Sequence, residues 1–360
     1  MARRVIVAMS GGVDSAVTAL LMRRAGHDVQ GLFMHNWDED EQGYCTAAED
    51  FQDARRVAIE LGIPLHSVDL SAEYRQRVFA QFLSECRAGL TPNPDVLCNR
   101  EIKFGDCLRY AQRLGGDLMA TGHYARVIES ADGPELHKGA DESKDQSYFL
   151  HSVFRDRFSR VLLPLGELHK HQVRELAQEA GLPVYNKRDS TGICFIGERP
   201  FREFLEQHIE HQPGPLRTVA GETIGEHVGL AFYTLGQRAG IGIGGMQGST
   251  GEAWYVVKKD PQQNVLFVAQ GSDNPALFTR SLRTGAVNWL ARPPVAESVQ
   301  VAVRLRYRQS DQAAVLTHIA ADGLTVVPAE PQRAVTPGQS AVFYSDTRCL
   351  GGGVIERTVI

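Results

Sequence analysis

The β-branched run Val5 to Met9 stops at Ser10-Gly11-Gly12-Val13-Asp14-Ser15 and passes at once into a helical pattern that ends at Ala25-Gly26. No other feature narrows the possible folds as much. A strand that feeds a helix through a glycine turn is the first half of a βαβ unit, and a run without polar alternation belongs to a strand covered on both faces. The alternation continues. Val29 to Met34 is a second short run, and a helix opens at Thr46 with Glu49 three residues on, a capping box, and extends to Gly62. Leu65 to Leu70, the helical stretch from Ser71 to Arg87, and Leu118 to Thr121 then read as strand, helix and fourth strand. The first half is therefore expected to be α/β, a parallel sheet sandwiched by helices.

The turn is suited to phosphate. Its glycines let the backbone bend so that N–H groups face an anion, the helix start adds partial positive charge, and Ser10 and Ser15 add hydroxyls. It is not a Walker A loop, because no Gly-Lys-Ser/Thr follows, nor a dinucleotide GxGxxG. A bare Gly-Gly turn is commonly no more than a capped strand-to-helix corner. All six residues in this place resemble the loop of the ATP pyrophosphatase superfamily, which splits ATP to AMP and pyrophosphate. That resemblance implies ATP bound along Ala8, Met9, Ser10, Gly11, Gly12, Val13, Asp14 and Ser15, with Asp14 helping to position magnesium as the counterion and no protein-only metal site. It also places Met34 and Gly122, at the carboxyl ends of the second and fourth strands, against the adenosine. Open α/β sheets bind ligands along that edge. Taken alone, Met34 would more often be core.

After about Phe204 the pattern changes. Gln212-Pro213-Gly214-Pro215 breaks the chain, the stretch from Gly221 to Gly251 is glycine-rich, and from about Leu277 the sequence is β only. Val299, Val301, Val303, Leu305 and Tyr307 alternate with Gln300, Ala302, Arg304, Arg306 and Arg308, an apolar face against a basic one. Further strands are expected at Ala314–Ile319, Leu324–Pro328, Ser340–Tyr344 and Gly353–Ile360. The expected domains are 1–203, the ATP-handling α/β unit; 204–275, a small β-rich unit; and 276–360, an antiparallel β-barrel.

Two arginines and a short apolar stretch at the N-terminus are too little for a signal peptide, and no apolar run reaches membrane-spanning length, so a cytoplasmic protein is expected. The net charge of −5 does not mark a nucleic-acid binder, and any positive surface must be local. Six cysteines in 360 residues make no disulfide framework and have no zinc spacing. Most are expected to be buried and inert, Cys86, Cys107 and Cys349 among them.

Two cysteines stand in unusual company. Cys98 follows Pro92-Asn93-Pro94-Asp95-Val96-Leu97, where Pro94 suits the first turn of a helix. Helix onset, with Arg100 and Lys103 nearby, favours a thiolate, and Asp95 on the same face can move a proton. Cys194 lies in the glycine-flanked Asp189-Ser190-Thr191-Gly192-Ile193-Cys194-Phe195-Ile196-Gly197, which can leave a thiol accessible. PNPDVLCN, TGHYAR, KDQSYFL, DSTGICFIG and YTLGQRAGIGIGG (233–245), in this order after the glycine loop, closely resemble the bacterial tRNA-specific 2-thiouridylases. The resemblance implies a tRNA substrate with a wobble uridine, activated by ATP and thiolated from a persulfide. It makes Cys194 the persulfide carrier and Cys98 the partner nucleophile able to form a disulfide with it. It sets Asn93, Pro94 and Asp95 against the target base, and His123, Lys144, Asp145, Gln146, Arg306, Tyr307 and Gln339 against the tRNA. Release of sulfur by the second thiol and direct attack by the persulfide both remain open. No rhodanese-like domain is present, so a cysteine desulfurase or relay protein is expected to load the sulfur.

Basic residues cluster at Arg100, Lys103, Arg109 and Arg113; at His169, Lys170, His171 and Arg174; at Lys187 and Arg188; and along Arg304, Arg306 and Arg308. Each cluster alone is an ordinary solvated face; together they are expected to track phosphates. Two other readings compete. An ATP-dependent amide or guanidine ligase would keep the loop and make both cysteines dispensable. A non-catalytic RNA-binding module would bind tRNA without turning over ATP.

Overall fold

The computed structural model describes residues 2–37, 47–189, 201–243 and 251–360. Cys45, the capping-box residue Thr46, Cys194 and the glycines at 244, 245 and 248 lie outside the described residues.

The first unit is built on a parallel sheet of β1 (Arg4–Met9), β2 (Asp28–His35), β3 (Leu65–Asp69), β4 (Leu118–Ala120) and β7 (Val161–Leu162), in the order β3-β2-β1-β4-β7. The unbroken apolar run of β1 has the expected cause. Val5, Val7 and Met9 pack under α1 (Val13–Arg24) and α2 (Ala47–Leu61), while Ile6 enters the core on the other face with Leu32 and Met34. The order reverses between β1 and β4, so a crevice opens at their carboxyl ends, where such sheets hold ligands. Both the glycine loop and Gly122 leave the sheet at this point.

The 71–87 helix is continuous but widened, with a π stretch over Arg75–Phe79 between α segments. The helix of residues 94–113 is similar: Pro94–Leu97 is α, Cys98–Cys107 is π, and Leu108–Arg113 is α. Unlike α-helical periodicity, π geometry leaves no clear sequence signature, and in helices it often marks functional segments.

Sequence reading missed the hairpin β5 (Ala125–Ser130) and β6 (Gly133–Lys138). It departs from the parallel sheet and extends the barrel: His137 pairs with Arg348, and Lys138 N–H bonds Thr347 O at 2.8 Å.

The central unit is a four-stranded sheet of β8 (Gly214–Thr218), β9 (Thr223–His227), β10 (Trp254–Asp260) and β11 (Val265–Gln270), ordered β10-β11-β8-β9. The apparent break at 212–215 runs straight into β8. The short β12 (Phe278–Thr279) and β18 (Gln332–Arg333) pair with each other. The barrel comprises β13 (Ser281–Thr284), β15 (Ser298–Arg304), β16 (Gln312–Ala320), β17 (Gly323–Pro328), β19 (Ser340–Ser345) and β20 (Arg348–Val359), with β14 (Asn288–Trp289) beside β20. Pairing of β13 with β20 closes the ring, which removes free sheet edges. Among the described residues no helix is long and apolar enough to cross a membrane.

The basic face expected on β15 does not exist. The strand ends at Arg304, and Arg306 and Arg308 lie in the turn beyond, Arg308 at φ 65°. The Arg304 side chain is only 11% exposed and turns inward to Asp145, at 2.6 Å. Two-residue alternation could not reveal where the strand stops.

Candidate functional site

Gly11 adopts φ 73°, and a Cβ there would lie 2.2 Å from Asp50 O, so this position requires glycine. Gly12 caps α1 with no side-chain hydrogen bond, which leaves the first-turn N–H groups for an anion. The hydroxyl of Ser15 accepts from Ser10 N–H at 3.1 Å and lies 3.1 Å from Gly12 O, holding the turn in shape. Gly122 comes so close that a Cβ would lie 2.9 Å from the Asp14 carbonyl carbon. Ala8, Met9, Ser10 to Ser15, Met34 and Gly122 are thus gathered at one edge of the sheet.

The surroundings of Asp14 were not legible beforehand. Tyr124 O–H donates to Asp14 Oδ1 at 2.7 Å, and Lys170 Nζ donates to both carboxylate oxygens at 2.7 and 2.8 Å. Lys170 also meets Asp189 at 2.8 Å, and Asp189 takes Lys144 at 2.7 Å and Arg174 at 2.8 Å. Burial opposes the Asp189 charge, but hydrogen bonds from Lys144 and Lys170 outweigh it and hold the carboxyl down to about 2. On the other flank Lys187 bonds Gly11 O at 3.2 Å, Asp50 at 2.6 Å and Asp53 at 2.5 Å. Burial works against its charge too, and the bonds to Asp50 and Asp53 prevail, raising its pKa.

These contacts correct an expectation. The clusters at 169–174 and 187–188 are not separate: Lys170 and Lys187 flank the glycine loop, and Arg174 stands behind them, bonded to Asp189 and to Lys187 O. Sequence reasoning missed Asp50, Asp53, Tyr124 and Asp189, because their partners are distant in the chain. It also missed Asn36, just past β2: its side chain is buried (2% exposed), and among the described residues neither amide atom has a hydrogen-bond partner.

Pro94 opens a helix as expected, and Asn93 caps it, accepting from Asp95 N–H at 3.1 Å. Cys98 follows one turn later and is fully buried. Arg100, close by in the sequence, pairs with Glu101 at 2.7 Å. Cys86, Cys107 and Cys349 are buried as expected, and burial pushes each thiol up to about 12. The Cys98 helix reaches the nucleotide crevice through Phe104, whose ring lies 5.5 Å from that of His123, the neighbour of Gly122. His123 is itself buried, bonded to Thr121 Oγ1 at 2.8 Å, and burial holds its pKa well below the ordinary histidine value.

Of the other residues drawn to tRNA by resemblance, Asp145, Tyr307 and Gln339 make contacts across the seam between the first unit and the barrel. Lys144 pairs with Asp189, as above. Gln146 exchanges bonds with Tyr124: its backbone N–H donates to Tyr124 O at 2.8 Å and its side-chain oxygen accepts from Tyr124 N–H at 3.0 Å. Asp145, 2% exposed, accepts from Gly139 N–H, Ser147 N–H and Arg304. Tyr307 packs on Phe149 with ring centroids 4.3 Å apart. Arg306 donates to Arg333 O and Ala334 O, and Gln339 to Thr91 O, each at 2.6 Å.

Residues 3–198 match the family described as tRNA methyl transferase HUP domain, 202–270 the tRNA methyl transferase PRC-barrel domain, and 279–355 the aminomethyltransferase beta-barrel domain. The chain is 54% identical over 357 residues to the tRNA-specific 2-thiouridylase of Ralstonia nicotianae, covering 99% of this chain and 96% of that one. Identity to the protein of that name from Cupriavidus taiwanensis is 54%, covering 99% of both chains. For Pseudomonas paraeruginosa it is 54% over 354 residues, 98% of this chain and 94% of the other.

Proposed function

The chain belongs to the tRNA-specific 2-thiouridylase family, and from that membership and the site geometry we propose that it thiolates C2 of a tRNA wobble uridine at the expense of ATP. The observation that carries the proposal is the glycine loop at the β1/β4 crevice, with Lys170 and Lys187 at its flanks and the Cys98 helix packed alongside through Phe104 and His123.

The loop N–H groups and the two lysines hold the phosphates, and Met34 and Gly122 border the adenosine. The uracil C2 oxygen attacks the α-phosphorus; pyrophosphate leaves, and an O-adenylated base forms whose AMP is now a good leaving group. Asp14 is the residue that would share a magnesium counterion carried by the phosphates, which would neutralise charge at the α-phosphorus. Among the described residues no group of His, Cys, Asp or Glu is arranged to hold a metal unaided.

Asn93, Pro94 and Asp95 border the base, and Asp95 manages its proton. Cys194, loaded by a desulfurase or relay protein, carries the outer sulfur. In one route this sulfur attacks C2 and expels AMP, and Cys98 thiolate then attacks Cys194 sulfur, releasing thiouridine. In the other, Cys98 first displaces hydrosulfide, which attacks C2. Both end in a Cys98–Cys194 disulfide that an external thiol must reduce.

The test is thiolation of tRNA by Cys98→Ser and Cys194→Ser, with AMP and pyrophosphate measured in parallel. Both variants are expected to lose 2-thiouridine while the parent releases AMP only with tRNA present. Full thiolation in both variants would remove the mechanism.

A further inference from the structure

The residues leading to Cys98 are pinned by both later units. Lys259 Nζ in β10 donates to Gly89 O at 3.0 Å, and a Cβ on Gly89 would lie 3.1 Å from Pro261. Two residues on, Thr91 N–H donates to Pro337 O at 3.0 Å while Thr91 O accepts the Gln339 side chain at 2.6 Å. Between these bonds sits Gly338, at φ 93°, where a Cβ would lie 2.8 Å from Thr91 N and 2.9 Å from Thr91 C. The barrel turn is itself fixed. Gly338 N–H donates to Ile355 O and Ile355 N–H to Gln339 O, and Arg306 grips Arg333 O and Ala334 O just before it. Thr91 is two residues from the Asn93 cap that starts the Cys98 helix.

We propose that Gly338 and Gln339 are positioning residues for thiolation: the barrel turn at 336–339 sets Thr91, and through it the Asn93–Asp95 segment and Cys98. Resting on the activity proposed above, this gives Gln339 a role separate from contact with RNA. Its amide is committed to the backbone of the base-facing segment. A barrel that grips tRNA is thereby tied mechanically to the residues that meet the target base. Misplacing reacting groups by about an ångström slows chemistry by up to about 100-fold without weakening binding.

The decisive variant is Gly338→Ala, because it removes no group that could touch RNA. In persulfide-loaded protein it is expected to lower kcat by about tenfold or more while the KM for tRNA moves less than about twofold. Gln339→Ala should show the same split, and it keeps the turn backbone should Gly338→Ala fold poorly. Hydrogen exchange at the amides of residues 91–98, without tRNA or ATP, should quicken in both. An unchanged kcat, a defect confined to KM, or unaltered exchange in Gln339→Ala would overturn the proposal. Because exchange needs no turnover, faster exchange in a protein that never thiolates would keep the clamp and sink the activity.

Discussion

At the residue scale the glycine loop was legible and its counter-charges were not. Ser10 to Ser15 are contiguous and carry their chemistry in their spacing, whereas Asp14 meets Lys170 across 156 positions. Asp14→Asn removes the charge that Lys170 and Tyr124 address, and pyrophosphate release is expected to fall about 100-fold or more, read by a coupled phosphate assay. Buried histidines were likewise invisible in the sequence. Burial brings His151 from 6.5 to about 4, against the opposing effect of its bond to Tyr148 O. It stays neutral in the fold where the unfolded chain would take a proton. Its stabilising contribution is therefore complete above 6.5 and is lost as pH falls toward about 4. Urea midpoints should drop between pH about 7.5 and about 5, and the drop should shrink in His151→Asn. An equal drop in both proteins would assign it elsewhere.

At the scale of elements, apolar runs and caps located β1 to β4, five of the barrel strands and the helix starts near residues 13, 47, 71 and 94, because those signals are local. The 94–113 helix shows what is lost. Pro94 announced its beginning, but nothing in its sequence announced ten residues of π geometry from Cys98 to Cys107. The first turn depends on one cap. Asn93→Ala removes the acceptor for Asp95 N–H and is expected to lower stability by about 1 kcal/mol. Thiolation should fall further than that small loss implies, since the same turn carries Asp95 and Cys98. A midpoint shift in calorimetry with unaltered kcat would mean that the cap serves stability alone. The hairpin β5–β6 was missed for a different reason. Its alternation is weak, and its pairing partner β20 lies some 210 residues away, as the His137–Thr347 contact shows.

On the scale of the whole molecule, three units were separable by pattern, but the seam between first and last was not. Resemblance drew Asp145 toward RNA, yet the structure buries its carboxylate between units. Arg304 Nη1 bonds it at 2.6 Å, and Arg304 Nε in turn bonds Asp311 at 2.7 Å, a carboxylate shared with Lys138 of the hairpin. Tyr344 lies against both cations, 4.4 Å from Lys138 Nζ and 5.1 Å from the Arg304 guanidinium carbon. The Asp145 end of this joint is closed to solvent, its side chain 1% exposed, so removing Arg304 leaves a charge there that water cannot reach. Arg304→Met is expected to destabilise the protein by about 3–5 kcal/mol. The pair Asp145→Asn with Arg304→Met should recover most of that loss, because asparagine can still accept from Gly139 and Ser147 without a buried charge. A residue whose only task is to touch tRNA predicts the opposite: unfolding midpoints unchanged in every variant, and tRNA affinity alone reduced. Denaturant titrations of the two variants, each paired with a tRNA-binding measurement, distinguish a structural clamp from an RNA contact.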